Sequence, residues 1–399
     1  RDLNVRTILE GSVQKSENRL RITAQLIDAE DGYHLWSQQY DREMEDVFAI
    51  QDEITWAIAD ALKVELMAGE RTAVSKRHTE DLEAYHLYLR GRYHWNRSTT
   101  EDYWKAIDHY RAAIEEDPTY ALAYVGMADA YASLGDAGHS AISPREAFSA
   151  AGTAVRKALE LDESLAEAHA SLGHLKMHEF AWPEAERSFQ RAIKLNPNYA
   201  TGHRFQAFFL AGQGRSEEAA ASMRRALELD PVSLGIVTDV GVLCYFARDW
   251  DGAIAQYKKV LEVDPGFVRA YVTLGSAYTQ KGMHAEAIES LKKAMDLSGD
   301  RLKVAPLGRA YGLAGMREEA LDAIEDLKEI AKARYVTPYA FTLIYACLGE
   351  RDKAFSYLKR ACDEGVSDLI YLKVDPFLDN LRGDPRFSEL LSSVGFGPS

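Results

Sequence analysis

The sequence predicts a mainly α protein: an α-solenoid of about eight repeated helix pairs, preceded at the N-terminus by a small partial α/β unit of three strands and a helix. Three ladders of small residues carry the prediction. Eight alanines, Ala106, Ala151, Ala185, Ala219, Ala253, Ala287, Ala320 and Ala354, stand 45, 34, 34, 34, 34, 33 and 34 residues apart. A second ladder lies seven residues behind the first: Ala113, Ala158, Ala192, Ala226, Val260, Ala294, Leu327 and Ala361. A third stands mostly twelve ahead (Gly91, Ala128, Gly173, Ala207, Gly241, Gly275 and Gly308), with Ala128 displaced by an insertion. A fixed period of this length marks stacked helical units that bury one another's faces.

Each ladder has a packing reason. A bulky side chain where two helices cross pushes their axes beyond the usual ~8–10 Å, and alanine permits contact without glycine's helix cost of roughly 1 kcal/mol. Counting the first ladder as place twenty of the unit, larger groups fill the gaps. Tyr131, Leu210, Cys244, Tyr278, Tyr311 and Tyr345 stand at place eleven, and Phe189, Met223, Tyr257, Leu291, Ile324 and Leu358 at place twenty-four. Between units stand Asp117-Pro118, Asn196-Pro197, Asp230-Pro231 and Asp264-Pro265. The prolines are expected in the first turn of the next helix, where an amide hydrogen has no partner. A 34-residue unit with small residues at places eight, twenty and twenty-seven and proline at thirty-two resembles the tetratricopeptide repeat. That resemblance implies a right-handed solenoid and a scaffold function.

Composition agrees. At 399 residues the chain exceeds one ordinary domain, but an array grows by adding neighbours and needs no single large core. Hydrophobic content of 47% and a mean hydropathy of −0.30 describe a soluble folded chain. With 47 basic and 62 acidic residues the net charge is −15, which argues against nucleic acid as a partner, because phosphate binding draws on lysine and arginine excess. No apolar stretch approaches the ~20 residues of a membrane span. No signal peptide is seen, and because the chain opens on Arg1 we expect that upstream sequence exists. Cys244, Cys347 and Cys362 cannot all pair, so a reducing, cytoplasmic setting is the simpler reading.

The first 67 residues read differently. Val5–Val13, Arg19–Ile27 and Tyr33–Tyr40 are strand-like, the second alternating polar and apolar with period two. The short polar connections Gln14–Asn18 and Ala29–Gly32 imply antiparallel hairpins. Val47, Ile50, Ile54, Ile58, Ala61, Leu62 and Leu66 then recur at helical spacing, an amphipathic helix over Val47–Met67 that can cover one sheet face. Met67–Glu80 is polar and reads as a link. The expected organisation is 1–67 α/β unit, 68–82 linker, 83–365 repeat array and 366–399 a segment that caps the array. Val5–Val13 is the expected sheet edge, and an edge recruits other strands because its backbone groups lack partners. A homodimer through the N-terminal strands is therefore expected.

The run Ile8-Leu9-Glu10-Gly11-Ser12-Val13, the strand Leu20–Asp28, Gly32-Tyr33-His34-Leu35-Trp36-Ser37 with Tyr40-Asp41-Arg42, and Asp46–Ile54 resemble the second half of the TolB-like α/β domain. In bacterial regulators that domain precedes tetratricopeptide repeats. The ending, Tyr371–Pro376 and Asp384-Pro385-Arg386-Phe387, extends the resemblance over nearly the whole chain. It is similar to the C-terminal architecture of winged-helix regulators, class III nucleotide cyclases and Ser/Thr protein kinases. The first part of the α/β domain and any catalytic or DNA-binding module are missing from the match.

Candidate chemistry is sparse. His174 and His178, at i,i+4, have the spacing of two metal ligands on one helix face, but no third ligand is spaced with them, and groove histidines are the simpler reading. His169 and His203 hold the same place in successive repeats, which points to packing. Asp28/Glu30/Asp31 and Glu115/Glu116/Asp117 read as solvated turns or caps, and Ser140 lacks the strand-turn-helix context of a nucleophile elbow. No Gly-rich phosphate loop is seen. No cofactor, metal or catalytic residue is assigned, and the chain is expected not to be an enzyme.

The repeat resemblance implies that the first helix of each pair lines a concave groove through places two, five, nine, twelve and thirteen. Applied here, the lining is Tyr85, Tyr88, Arg92, Trp95, Asp129, Glu167, His174, His178, Arg204, Phe208, Tyr245, Phe246, Arg269, Gln280, Arg309 and Tyr339. Aromatics with scattered arginines are the usual make-up of a binding hot spot; the bland alternative is that Tyr88, Phe208 and Tyr245 complete inter-helix packing. The chaperone-type carboxylate clamp wants Asn at place nine, which here holds Asp129, His174, Phe208, Val242 and Ser276. Two functions remain: a scaffold or sensory region taking a peptide or protein in the groove, or the regulatory fragment of a cyclase, kinase or transcription regulator.

Overall fold

The computed structural model describes residues 6–17, 19–43, 47–62, 77–136 and 142–397. They form two compact units, Arg1–Leu82 and Glu83–Ser399. Val5, the end of the first helix at Leu66 and Met67, linker residues 68–76 and Ser140 lie outside the described residues.

In the first unit β1 (Thr7–Ser16), β2 (Arg19–Asp28) and β3 (His34–Glu43) make an antiparallel sheet in that order. Helix α1 (Val47–Ala61) covers one face, and Ala24, Tyr40 and Ile50 meet there, flanked by Ile22, Trp36 and Ile54. Period-two alternation put Ile22, Ala24 and Leu26 on the covered side, as a one-sided sheet requires. The first connection is shorter than the polar run Gln14–Asn18 implies. β1 continues to Ser16, which pairs with Arg19. Two residues remain for the turn, and Glu17 adopts φ 52°, because two-residue hairpin loops need left-handed backbone to match strand twist. β3 likewise runs past Tyr40 to Glu43, where Arg19 and Arg21 both reach Asp41 at 2.9 Å across the strand pair.

The second unit is an α-solenoid, and among the described residues its helices form eight antiparallel pairs. They are α2 (Leu82–Asn96) with α3 (Thr100–Glu116), α4 (Ala121–Gly135) with α5 (Pro144–Leu161), α6 (Ala166–His178) with α7 (Trp182–Leu195), and α8 (Ala200–Gly212) with α9 (Ser216–Leu229). Then come α10 (Leu234–Phe246) with α11 (Trp250–Val263), α12 (Val268–Gln280) with α13 (His284–Ser298), α14 (Val304–Leu313) with α15 (Arg317–Ile330), and α16 (Pro338–Cys347) with α17 (Arg351–Glu364).

All members of the first two ladders are buried, none more than 2% exposed. Four glycines of the third ladder, Gly91, Gly173, Gly241 and Gly275, face the large residues of place twenty-four, whereas Gly308 faces Ile344 of the next pair. A Cβ on Gly173 would sit 2.7 Å from the Phe189 ring, and one on Gly275 2.5 Å from Leu291 Cγ. Small against large, repeated at one period, is what sets the helix spacing within each pair.

The prolines do not sit in the first turn of the next helix. Pro118, Pro197, Pro231 and Pro265 precede it, since α4, α8, α10 and α12 start three residues later, at Ala121, Ala200, Leu234 and Val268. Their work is done one residue earlier: proline bars its predecessor from helical backbone. Asp117, Asn196 and Asp264 accordingly take ψ of 94°, 93° and 95° and end their helices. Each then accepts the amide hydrogen two residues on, at 2.9, 3.0 and 2.8 Å, an Asx turn that aims the chain into the next helix.

Beyond α17 two 3₁₀ turns, Ser367–Tyr371 and Pro376–Leu381, lead to α18 (Pro385–Ser393). α18 rests on α17: the Arg386 guanidinium lies 4.1 Å over the Phe355 ring and reaches Asp352 at 2.9 Å.

Overfilling a ladder position tests this packing. Ala226→Leu puts three extra carbons into a fully buried crossing and should lower stability by about 1–3 kcal/mol. Val263→Ala, at a position 72% exposed, should stay within about 0.5 kcal/mol of the parent. Urea or thermal denaturation followed by far-UV circular dichroism compares them; an Ala226→Leu chain as stable as the parent would contradict the close-crossing account.

Candidate functional site

Because each pair repeats the same geometry, side chains about 34 residues apart in sequence become neighbours on the first helices. The lining residues fall into three groups along the solenoid.

The first lies on α2, α4 and α6. The Arg92 guanidinium stands 4.9 Å over the Trp95 ring. Tyr88 lies between Tyr110 and Tyr120, with ring centroids 5.9 and 5.2 Å away, so it completes helix packing while remaining half-buried at the groove. Asp129 is buried; its Oδ1 accepts from Ser171 Oγ at 2.5 Å and its Oδ2 has no partner. Burial pushes its carboxyl up to about 6, although Ser171 and then Arg92 pull the other way. Tyr85 and Glu167 are half-buried beside this group.

The second group is in the middle. His174 and His178 touch through their Nε2 atoms at 3.1 Å. Each ring also stacks on a phenylalanine, His174 on Phe205 at 4.4 Å and His178 on Phe148 at 4.5 Å. Burial holds His174 down to about 3, with Arg204 adding to it, and holds His178 well below the usual imidazole range. The pair is neutral at pH 7, and among the described residues no three histidine, cysteine or acidic side chains cluster as metal ligands. His169 and His203 pack as their shared place implied, each bonding at 2.9 Å the carbonyl of the preceding turn, Glu163 and Pro197.

Next to the histidines lies a feature the sequence reading missed. Asp239 on α10 is fully buried, and both its oxygens are taken by arginines of the adjacent repeats, Arg204 on α8 and Arg269 on α12. A signal was present: Asp239 is the lone charge in Leu234–Phe246, an otherwise apolar helix.

The third group is covered by the chain itself. The segment after α17 turns back along the ends of the first helices. Tyr371 stacks on Phe246 at 4.7 Å and meets Phe208 edge-on. Phe377 lies by Tyr245 and under the Arg309 guanidinium, 4.7 Å away, and the Tyr339 hydroxyl donates to Asp375 at 2.8 Å. Backbone groups join in: Arg248 donates to the Val374 carbonyl at 2.6 Å, Lys373 to that of Gln213 at 3.2 Å and Asn380 to that of Ala346 at 2.7 Å. At the far end Phe396 stacks on Trp182 at 4.9 Å, and Trp182 Nε1 donates to the Val394 carbonyl at 3.1 Å. The segment expected to close the last repeat thus also reaches the third. Phe208, Tyr245, Phe246, Arg309 and Tyr339, expected to line a groove, are thus in contact with the chain's own segment. Gln280, on α12, is half-buried and its Nε2 has no partner.

Residues 181–233 and 268–301 each match a tetratricopeptide repeat family model. Among curated proteins, the Rhizobium meliloti (strain 1021) protein named "Putative adenylate cyclase 3" is 44% identical over 134 residues, 34% of this chain and 22% of that one. Superkiller protein 3 of Schizosaccharomyces pombe is 22% identical over 258 residues, 55% of this chain and 18% of that one. The chain therefore spans about a fifth of the length of either relative. Among solved structures, the APC/C hetero-tetramer Cut9-Hcn1 is similar with a TM-score of 0.52 at 17% identity, covering 77% of this chain and 55% of that chain. The likeness is one of fold. The chain contains tetratricopeptide repeats, which indicate a protein-protein interaction scaffold.

Asp239 offers a direct test. Asp239→Asn leaves two partly buried guanidiniums facing each other without their carboxylate, and removing one partner of a buried ion pair costs roughly 3–5 kcal/mol. The denaturation midpoint should fall well below that of the parent, and a replacement without effect would show that the trio does not hold the three repeats together.

Proposed function

We propose that this chain is a non-catalytic scaffold that receives a peptide or protein segment in the part of the groove lined by α2, α4, α6 and α8. Tyr85, Tyr88, Arg92, Trp95, His174 and Arg204 are the residues that would meet it, with Asp129 and His178 buried behind them. One observation supports this most: the other part of the groove already holds a polypeptide, the chain's own residues 366–396. It does so by aromatic stacking and by side-chain capture of the segment's backbone carbonyls, Val374 by Arg248 and Val394 by Trp182, which any peptide can offer. Half-buried arginine and aromatic side chains repeat that chemistry at the N-terminal end, where Arg92 and Trp95 stack.

A second reading has its own support. The 134-residue similarity to an adenylate cyclase, together with the TolB-like pattern of the first unit, favours a regulatory region whose effector domain lies elsewhere in a longer protein. The two readings are compatible, since a groove that binds a partner is a means of reporting to an effector. Three unpaired cysteines fit a cytoplasmic setting.

Affinity capture from native lysate compares the parent with Arg92→Ala and Trp95→Ala. A partner retained by the parent and by Val263→Ala, yet lost by at least about tenfold from both groove variants, supports the reading; retention by all four chains places binding elsewhere. Purified chain should give background rates in cyclase and kinase assays, and turnover abolished by one groove substitution would overturn the scaffold reading.

The exposed edge of the first unit has its own consequence. β1 is an outer strand whose Leu9 and Val13 are 53% and 65% exposed, and such edges pair with other strands. We expect a two-fold dimer through β1. Light scattering over a concentration series should find it, and Ile8→Pro should abolish it; a monomer throughout, or a dimer indifferent to the proline, sinks this part.

A further inference from the structure

Where the C-terminal segment crosses the groove it does not fill it. A cavity of about 180 Å³ remains between α10, α12, α14 and α16 on one side and residues 368–377 on the other. Its walls are largely aromatic, among them Tyr245, Tyr257, Tyr371 and Phe377. Two charged side chains open into it, and neither is matched. Arg309 lies over Phe377, but its Nε is buried without an acceptor, and among the described residues no carboxylate or carbonyl bonds its guanidinium. Asp368 has a buried Oδ2 with no donor. The other acid at the wall, Asp375, is fully engaged: it accepts from Tyr339 Oη at 2.8 Å and from the Phe377 amide at 2.9 Å. No ion pair joins Arg309 to Asp368 although both line the same space.

Buried polar groups in folded proteins are satisfied as a rule, and each exception calls for an explanation. A hydrophobic cavity with a few convergent polar groups is the usual form of a small-ligand site. We propose that this cavity binds a small zwitterion of the amino-acid class, its carboxylate on Arg309 and its ammonium on Asp368. The guanidinium offers the planar fork that suits a carboxylate. The aromatic walls take an ammonium by cation–π attraction and an apolar side chain by contact. Burial, with Asp375 second, holds the Asp368 carboxyl up at about 7, although Arg309 across the cavity pulls the other way. A simple anion would satisfy Arg309 and leave Asp368 stranded; a simple amine would do the reverse.

The site has a structural corollary. Arg309 belongs to a repeat and Asp368 to the C-terminal segment, so a bridging ligand ties one to the other. The ligand should therefore strengthen the segment's hold on the groove. This does not require that a peptide bind at the α2–α8 end, so the two readings stand or fall separately.

The test uses the full chain. Thermal denaturation is measured with each common amino acid in turn at millimolar concentration, and calorimetry follows on those that raise the midpoint. At least one amino acid should bind saturably, and about tenfold or more tighter than its decarboxylated amine or its deaminated acid. Asp368→Asn and Arg309→Met should each weaken it at least about tenfold, and unliganded Asp368→Asn, having lost a stranded charge, should melt no lower than the parent. The analogue comparison needs no variant, so a poorly folding mutant does not leave the question open. If no amino acid binds, if the acid or the amine binds as tightly as the zwitterion, or if both variants retain parental affinity, the proposal is wrong.

Discussion

The approach of one helix axis to the next governs everything else in the repeat unit. Gly173 against Phe189 and Gly275 against Leu291 allow helices to pack at a separation that a Cβ would prevent. Buried alanines at places twenty and twenty-seven do the same for the neighbouring crossings. With that spacing repeated at one period, the first helices line up and residues from three repeats can share a single carboxylate, as Arg204, Asp239 and Arg269 do. A local steric rule thus becomes a long-range surface, which is the general economy of solenoids.

That surface differs in charge from the molecule that carries it. The chain has a net charge of −15, yet its expected lining sets Arg92, Arg204, Arg269 and Arg309 beside the acids Glu167, Asp368 and Asp375. Burial pushes the carboxyl of Asp129 up, and Asp239 is held between two cations. The histidines add none, because burial against phenylalanine rings keeps them neutral. If a partner enters as proposed, its anionic groups would be repelled by the acidic exterior and met by arginine only within the groove.

Much of the repeat array was legible in the sequence, for a physical reason. Helix crossings tolerate few residue types, so Ala219, Ala253 and Ala287 leave a period that composition cannot hide. The three strands were equally readable from alternation, although the hairpin at Glu17 was not, since a polar strand end and a polar turn look alike. The prolines misled by one step, because the constraint acts through Asp117 and Asn196 before them. The groove residues were named by register alone, and register cannot tell a free side chain from an occupied one. Phe246 and Tyr339 were expected on the concave face, and what covers them comes from 3₁₀ turns around Tyr371 and Phe377, which have no helical period to betray them. An excess of apolar residues in Leu369–Leu372 and Pro376–Leu378, too many for a polar end cap, was the available sign.

Trp182 and Val394 are 212 residues apart in sequence and share a hydrogen bond. In an open array every contact is between near neighbours, so folding can begin anywhere and the ends fray independently. The bond between Trp182 and Val394, with those of Arg248 to Val374 and of Lys373 to Gln213, adds contacts of high contact order to an otherwise local structure. Closing them means fixing a long loop after the repeats have formed, and that is the slow kind of step. Once made, the closure couples the third repeat to the eighth, so that fraying at one must be felt at the other. The array then melts less like a zip and more like a clasped ring.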